Sequence, residues 1–396
     1  MAAVCEGRRV YLDNAATTRV SDAAFAAMEP YLRGEFGNPS ALYVEARTTR
    51  AAVERARAEI AALIGAHADE IFFTSCGTES DNWAIKGCMR ARMRERGRKG
   101  RFVTTAFEHP AVLNSARALA EDGFDVAYAD VDERGFVDRG SFEARVSSST
   151  DLASAMLANN EVGTIQPIAE LSRIAHSSGA RFHCDAVQAF GHIPVNVDEL
   201  GVDYLSVSGH KFHAPKGIGF LYVRRGASIE PFMDGGHQES GLRGGTENVA
   251  GIVGMAAAAK AACKRMEQDA MHIAELRDDL QQRILAAIPG SCVNGIGPRV
   301  PGTLNMAIPN VDSAALVELL DEHGVCASGG SACSSHEGEL SHVLVAMGLD
   351  VARIQGAVRF SLSDETTADD VAFAVDALAA CVNQLRDFGL IDLSSF

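Results

Sequence analysis

Between about residue 45 and residue 223 the hydrophobic pattern switches repeatedly between a helical and a strand period, and few folds accommodate that. Val53, Ala56, Ile60 and Leu63 share one helix face, with Gly65 where a stop is expected. Ile71-Phe72-Phe73-Thr74 is a short apolar strand that runs into Ser75–Ser80 and then a helix through Trp83 and Ile85. Further strands are expected at 101–106, 125–128, 152–158, 181–185 and 203–207. Helices fit between most of them, most clearly at 169–178 through Leu171, Ile174 and Ala175. Repeated βα units imply an α/β fold with a mostly parallel sheet covered on both faces. Gly217 to Val223 reads as a strand so soon after 203–207 that the two are expected to pair antiparallel.

Residues 248–287 read as one long helix, interrupted at most by Gly251 and Gly254, and able to bridge two domains. Beyond Pro289 the texture changes. Strands at 303–308 and 357–362 with helices at 313–322 and 367–386 suggest a smaller α+β domain, which the first residues join. The expected division is 1–18 with the small domain, 19–262 as the large domain and 263–396 as the small one.

Composition narrows the function classes. The net charge of −16 argues against direct nucleic-acid binding, and the basic run Arg90 to Arg101 reads as an exposed helix end and loop. No apolar run is long enough to span a membrane, and Met1 to Arg9 lacks a secretory apolar stretch. Nine cysteines are scattered with no Cys-x-x-Cys and no zinc spacing. A reducing cytoplasm, no disulfide framework and no structural metal are therefore expected.

The chemistry-bearing residues fall after successive strands. Asp185, in Phe182–Gln188, and Lys211, in Ser206–Gly217, follow two strands expected to be neighbours. Such a pair can hold pyridoxal phosphate, the Asp on the ring nitrogen and the Lys closing a Schiff base with the aldehyde. Gly77 and Thr78 open a helix after a strand, which suits a phosphate or merely a helix cap. Ser208 and His210 can donate to the same phosphate, although a surface turn with a solvated lysine is the more ordinary reading of the local sequence. Gln188 can reach the ring 3-oxygen, or else be an exposed polar helix residue. His109, in Phe-Glu-His-Pro, can stack on the ring and move protons, although a lone loop histidine is more often structural. Asn160 can reach the cofactor or a substrate carboxylate, or else serve a turn. Each signal is modest, and joint placement after strands is what links them.

Two residues speak to the reaction. Cys333 sits in the small-residue patch Ala327–Gly338, whose composition is that of a mobile loop, so its thiol is expected to be exposed and able to swing. Cys326, just upstream, is expected to end a strand and be structural. Arg359, in Val-Arg-Phe-Ser-Leu, lies in an apolar strand and needs an anion, either a substrate carboxylate or an intradomain partner.

Nearly end to end, the chain resembles the cysteine desulfurases of the NifS/IscS-like group within the class V PLP-dependent aminotransferases. The likeness is carried by Tyr11–Thr18, Gly37–Ser40, Thr78–Asn82, Glu108–Val112, Asn159–Gly163, Asp185–Gln188, Ser208–Lys211, Pro215–Gly219, Gly245–Asn248, Ser328–Cys333 and Val358–Leu362. The Ser-Ala-Cys setting of Cys333 favours the long-loop members. The resemblance implies PLP-dependent transferase fold type I and conversion of L-cysteine to L-alanine, the sulfur passing as a persulfide on Cys333 to an acceptor protein. It implies a homodimer in which Thr246 of the neighbouring subunit reaches the phosphate. It assigns Lys211, His109 and Cys333 to catalysis, and Asn38, Asn160 and Arg359 to the substrate carboxylate. Gly77, Thr78, His109, Asn160, Asp185, Gln188, Ser208, His210 and Lys211 would hold the cofactor. Selenocysteine lyase, a class V aminotransferase that would not need Cys333, and a non-catalytic scaffold are the alternatives. The chain departs from the family pattern at Ala214, at Ser363-Asp364-Glu365 and at Leu340, which leaves the chemistry intact and the acceptor and pathway open, whether iron–sulfur assembly or a thio-modification.

Overall fold

A computed structural model of the chain describes residues 7–329 and 340–389. Its strands are β1 (Val10–Tyr11), β2 (Ile71–Thr74), β3 (Arg101–Thr105), β4 (Asp125–Ala129), β5 (Thr150–Ser154), β6 (Arg181–Asp185), β7 (Tyr204–Ser208), β8 (Gly219–Val223), β9 (Cys292–Asn294), β10 (Thr303–Ala307), β11 (Val325–Cys326) and β12 (Ala357–Ser361). Seven of them form the central sheet, in the order β2-β8-β7-β6-β5-β3-β4. β8 is antiparallel to both neighbours, and the other pairings are parallel. Every residue of β2, β5, β7 and β8 is buried, as a sheet covered on both faces requires. β2, β3, β5, β6 and β7 therefore end at one edge, where ligands of open α/β sheets bind.

β5 stops at Ser154, short of the expected 158. Ala155 and Leu157 still donate along β6, to the carbonyls of His183 (3.2 Å) and Asp185 (2.8 Å). The chain then peels away, because Gln166 N–H reaches the Leu157 carbonyl at 2.8 Å and Ala158 bridges Ile165. That turn carries Asn159 and Asn160.

The long helix Val249–Ala287 is unbroken through Gly251 and Gly254 and spans about 60 Å at helical rise. Its first half buries Ile252, Met255, Ala256 and Ala259 in the core around the large sheet. Its second half buries Ile273, Leu276, Leu280 and Ile284 in a second core with Leu304, Val358 and Phe360. There β12, β10 and β9 form an antiparallel sheet. β1 pairs parallel with β11, and Asp13 then bridges Ser361 at the end of β12. Among the described residues no helix is long and apolar enough to cross a membrane.

Candidate active site

Three strand ends make the centre of the site. Asp185 closes β6, 4% exposed, and its Oδ1 accepts the Val187 N–H at 2.9 Å. Burial pushes its carboxyl up to about 6, opposed by that N–H and by the charge of Lys211. Ser208 closes β7, and its hydroxyl is buried with no partner. After β2 the helical run beginning at Gly77 starts between them. A Cβ on Gly77 would fall 2.6 Å from Val187 Cγ2 and 3.3 Å from Ser208 Cβ, so glycine is what lets the three segments meet. Thr78 beside it is exposed. A dry unpartnered hydroxyl beside the free N–H groups of a helix start is what a phosphate would satisfy, so these residues fit pyridoxal phosphate.

Lys211, in the turn after β7, donates from Nζ to the carbonyls of Ala15 (2.6 Å) and Ala16 (2.8 Å). Gln188 donates to the same Ala15 carbonyl at 2.9 Å. His210 Nδ1 lies 3.1 Å from the Thr17 hydroxyl, and burial, then the charges of Lys211 and Lys216, press its imidazole down to about 4. The segment after β1 thus lies on the lysine, a contact that strand and helix periodicity does not reveal.

His109 follows β3 and caps the helix Pro110–Glu121, its Nδ1 accepting the Ala111 N–H at 3.1 Å. Burial first, then Lys211 and His342, lowers its imidazole to about 4. The ring is therefore neutral, and with Nδ1 committed as an acceptor its proton sits on Nε2.

Arg359 on β12 is 2% exposed. It donates to Asp13 Oδ1 at 2.7 Å and to the Asn160 carbonyl at 2.8 Å. The intrachain partner weighed from sequence is therefore present, yet Arg359 Nε and Asn160 Oδ1 are both buried without partners. Along its backbone Arg359 exchanges two hydrogen bonds with Ser328, at 3.1 and 2.7 Å. Ser341 donates to Glu161 Oε2 at 2.5 Å, and His342 Nε2 donates to the Glu108 carbonyl at 2.9 Å. Residues 328, 341 and 342 are thus fastened next to Arg359, Asn160 and His109. In the sequence Cys333 falls between Ser328 and Ser341, and it is outside the described residues.

Asn38 and Thr246 are exposed and share no hydrogen bond with the Lys211 cluster among the described residues. Their neighbours Pro39, Ser40 and Glu247 line a separate cavity with Gln238 and Glu239. Sequence reasoning passed over Asp13, Asp81 and His183. His183 carried a usable signal, because it precedes Asp185 by two residues and so shares its strand face.

The class-V aminotransferase family matches residues 10–373. The cysteine desulfurase IscS of Dictyoglomus turgidum is 46% identical over 380 residues, 96% of each chain. A solved NifS-like protein superposes with a TM-score of 0.89 at 39% identity, covering 95% of this chain and 100% of the other. The structure of SspA in complex with cysteine matches at a TM-score of 0.78 and 33% identity, over 90% of this chain and 100% of that one.

Proposed function

The chain belongs to the class-V aminotransferase family, and from that membership we propose how this cysteine desulfurase works: Asp185 and Lys211 hold pyridoxal phosphate, Asn160 and Arg359 hold L-cysteine, and the Cys333 thiol takes the sulfur. The cofactor, on which enzymes of this family depend, supplies an electron sink for charge developing at the substrate α-carbon. Asp185 would meet the ring nitrogen as an anion, Gln188 would meet the 3-oxygen, and Gly77, Thr78, Ser208 and His210 would hold the phosphate. His109 would stack on the ring and stays neutral, because taking a second proton at Nδ1 would cost the helix its cap. Lys211 is the attachment point and the group left to move the α-proton. The substrate carboxylate fits the buried Arg359 Nε and draws on Asn160. In net terms L-cysteine and the enzyme thiol give L-alanine and an enzyme persulfide, the carbon–sulfur bond breaking as the sulfur–sulfur bond forms.

The observation that carries a sulfur-extracting reading over simple amino transfer is the backbone exchange between Ser328 and Arg359. It ties the base of the Cys333 stretch to the residue assigned to the substrate. The cysteine bound to the similar SspA supports L-cysteine as substrate. Replacing Cys333 with Ala should leave pyridoxal phosphate absorbance intact and abolish release of alanine and sulfide. Unchanged turnover refutes the assignment. Selenocysteine in place of cysteine, with alanine as the readout, separates the lyase alternative.

The enzyme acts as a homodimer and hands its sulfur to an acceptor protein. Support for the dimer comes from the segment 25–44, where Phe25, Leu32, Phe36, Leu42, Tyr43 and Val44 are exposed, Leu42 by 93%. A second copy covering that surface accounts for it, and Thr246 of the partner then completes the phosphate site. Free cysteines at Cys76, Cys263, Cys292 and Cys326 suit a reducing cytoplasm.

A further inference from the structure

Beneath Asp185 lies a buried polar chain that none of the steps above uses. His183 stands two residues earlier on β6 and so shares the face of Asp185. Ser154 is opposite His183 on β5, and Ser206 is opposite Asp185 on β7. The His183 ring bridges them, Nδ1 lying 2.8 Å from Ser154 Oγ and Nε2 2.9 Å from Ser206 Oγ. Asp81, on the helical run that starts at Gly77, brings Oδ1 to 3.6 Å from the same Nε2. His183 is fully buried and Asp81 is 1% exposed.

Asp81 Oδ1 has no hydrogen-bond donor. An ionised carboxylate in that position would leave a charged oxygen unsolvated, whereas a carboxylic acid leaves only a weak acceptor unpaired. Glu108 is the third carboxyl of this interior. Its Oε1 accepts from Thr105 (2.5 Å) and Met156 N–H (3.1 Å), and its Oε2 has no partner. Crowded like charges do not all ionise. Of the three, Asp185 has the Val187 N–H and lies in the field of Lys211.

We propose that Asp81 is a positioning residue for the cofactor, a neutral carboxylic acid that buttresses the Ser206–His183–Ser154 chain and leaves Asp185 as the anion under the ring nitrogen. Burial, and then the charge of Asp185, pushes the Asp81 carboxyl well above the usual carboxylate range, and a hydrogen bond with the Ser206 side chain opposes that shift without cancelling it. Burial also presses His183 down to about 3, so the imidazole is uncharged and offers no cation to an Asp81 anion. Acting through Ser206 and His183, Asp81 fixes the strand face on which Asp185 rests without touching cofactor or substrate.

The inference rests on the reading that Asp185 and Lys211 hold pyridoxal phosphate, and the test separates the two. Affinity of the apo-protein for pyridoxal phosphate is measured by equilibrium dialysis, together with the visible absorbance of the lysine-bound cofactor. Asp81→Asn, which mimics the neutral acid, should bind within about 3-fold of wild type with the same absorbance maximum. Asp81→Leu, which keeps the volume and loses the polar contact, should bind about 10-fold more weakly or worse. Asp81→Asn as weak as Asp81→Leu would mean that the charge itself is needed and would overturn the proposal. Asp81→Leu as tight as wild type would overturn it from the other side. Where Asp81→Leu does not fold, Asp81→Asn still decides, because loss of a true anion behind Asp185 would weaken binding by about 10-fold and move the maximum. Lys211→Ala reports on the cofactor reading alone. If it keeps the lysine-bound absorbance, the site is misplaced and the inference falls with it.

Discussion

Arg359 donates from both terminal nitrogens, to Asp13 and to the Asn160 carbonyl, while its Nε stays buried and unpartnered. Lysine has one compact ammonium in place of that planar fork and cannot reproduce both anchors while also meeting a carboxylate. Arg359→Lys should raise KM for L-cysteine about 10-fold with a smaller effect on kcat. A change in kcat at constant KM, read from steady-state alanine release, would place Arg359 away from the substrate. At this scale the sequence was informative about identity and silent about partners. Phrases such as Ser208–Lys211 and Asp185–Gln188 marked the residues, and the strand pattern put Arg359 among apolar neighbours where a charge needs a reason. That Asp13 supplies part of that reason could not be read, because 346 residues separate the pair.

Strand ends and helix starts place almost every assigned group, and the tightest junction among them is at Gly77. Val187 is β-branched and cannot swing its Cγ2 away cheaply, so a methyl 2.6 Å from it must push Val187 and, with it, the Asp185–Gln188 turn. Gly77→Ala should weaken pyridoxal phosphate binding by about 10-fold and cost about 1–3 kcal/mol of stability. Equilibrium dialysis and a urea titration of the apo-protein measure the two. A variant that binds like wild type would show that the junction yields. The alternation of apolar runs and helical spacing predicted these elements well, including the antiparallel β8. It misjudged β5, whose apolar sequence continues to residue 158. There the hydrogen bonds of the Asn159 turn take the backbone out of the ladder, and apolar periodicity carries no information about that.

In the whole molecule the buried ionisable groups set a pH dependence for the apo-protein. His109, His183 and His210 are depressed to about 4, 3 and 4, so the unfolded chain binds protons that the folded one refuses. Their contribution is present above about pH 6.5 and is lost as pH falls toward 4. Glu108 is raised to about 8 by burial, so the folded chain keeps a proton that the unfolded one has released. Its contribution is present at low pH and is lost as pH rises through 8, with Asp81 acting in the same sense. Stability should therefore fall by about 1 kcal/mol between pH 7 and 9, and Glu108→Gln should lessen the fall; a wild-type urea midpoint flat across that range would contradict it. Assembly is the other whole-molecule property. Sedimentation should give twice the chain mass of 41.9 kDa, and a monomer would remove Thr246 from the proposed site. By itself the sequence determined the βα alternation and the family and marked Asp185, Lys211 and Arg359 as candidates, because local periodicity and short phrases are properties of neighbours along the chain. The fold alone decided that the Ala15 and Ala16 carbonyls sit on Lys211 and that Ser328 is tied to Arg359. It also gathered the three carboxyls of Asp81, Asp185 and Glu108 in one buried interior. Such contacts join segments far apart in the chain, and their energies depend on burial, which exists only once the two cores have closed.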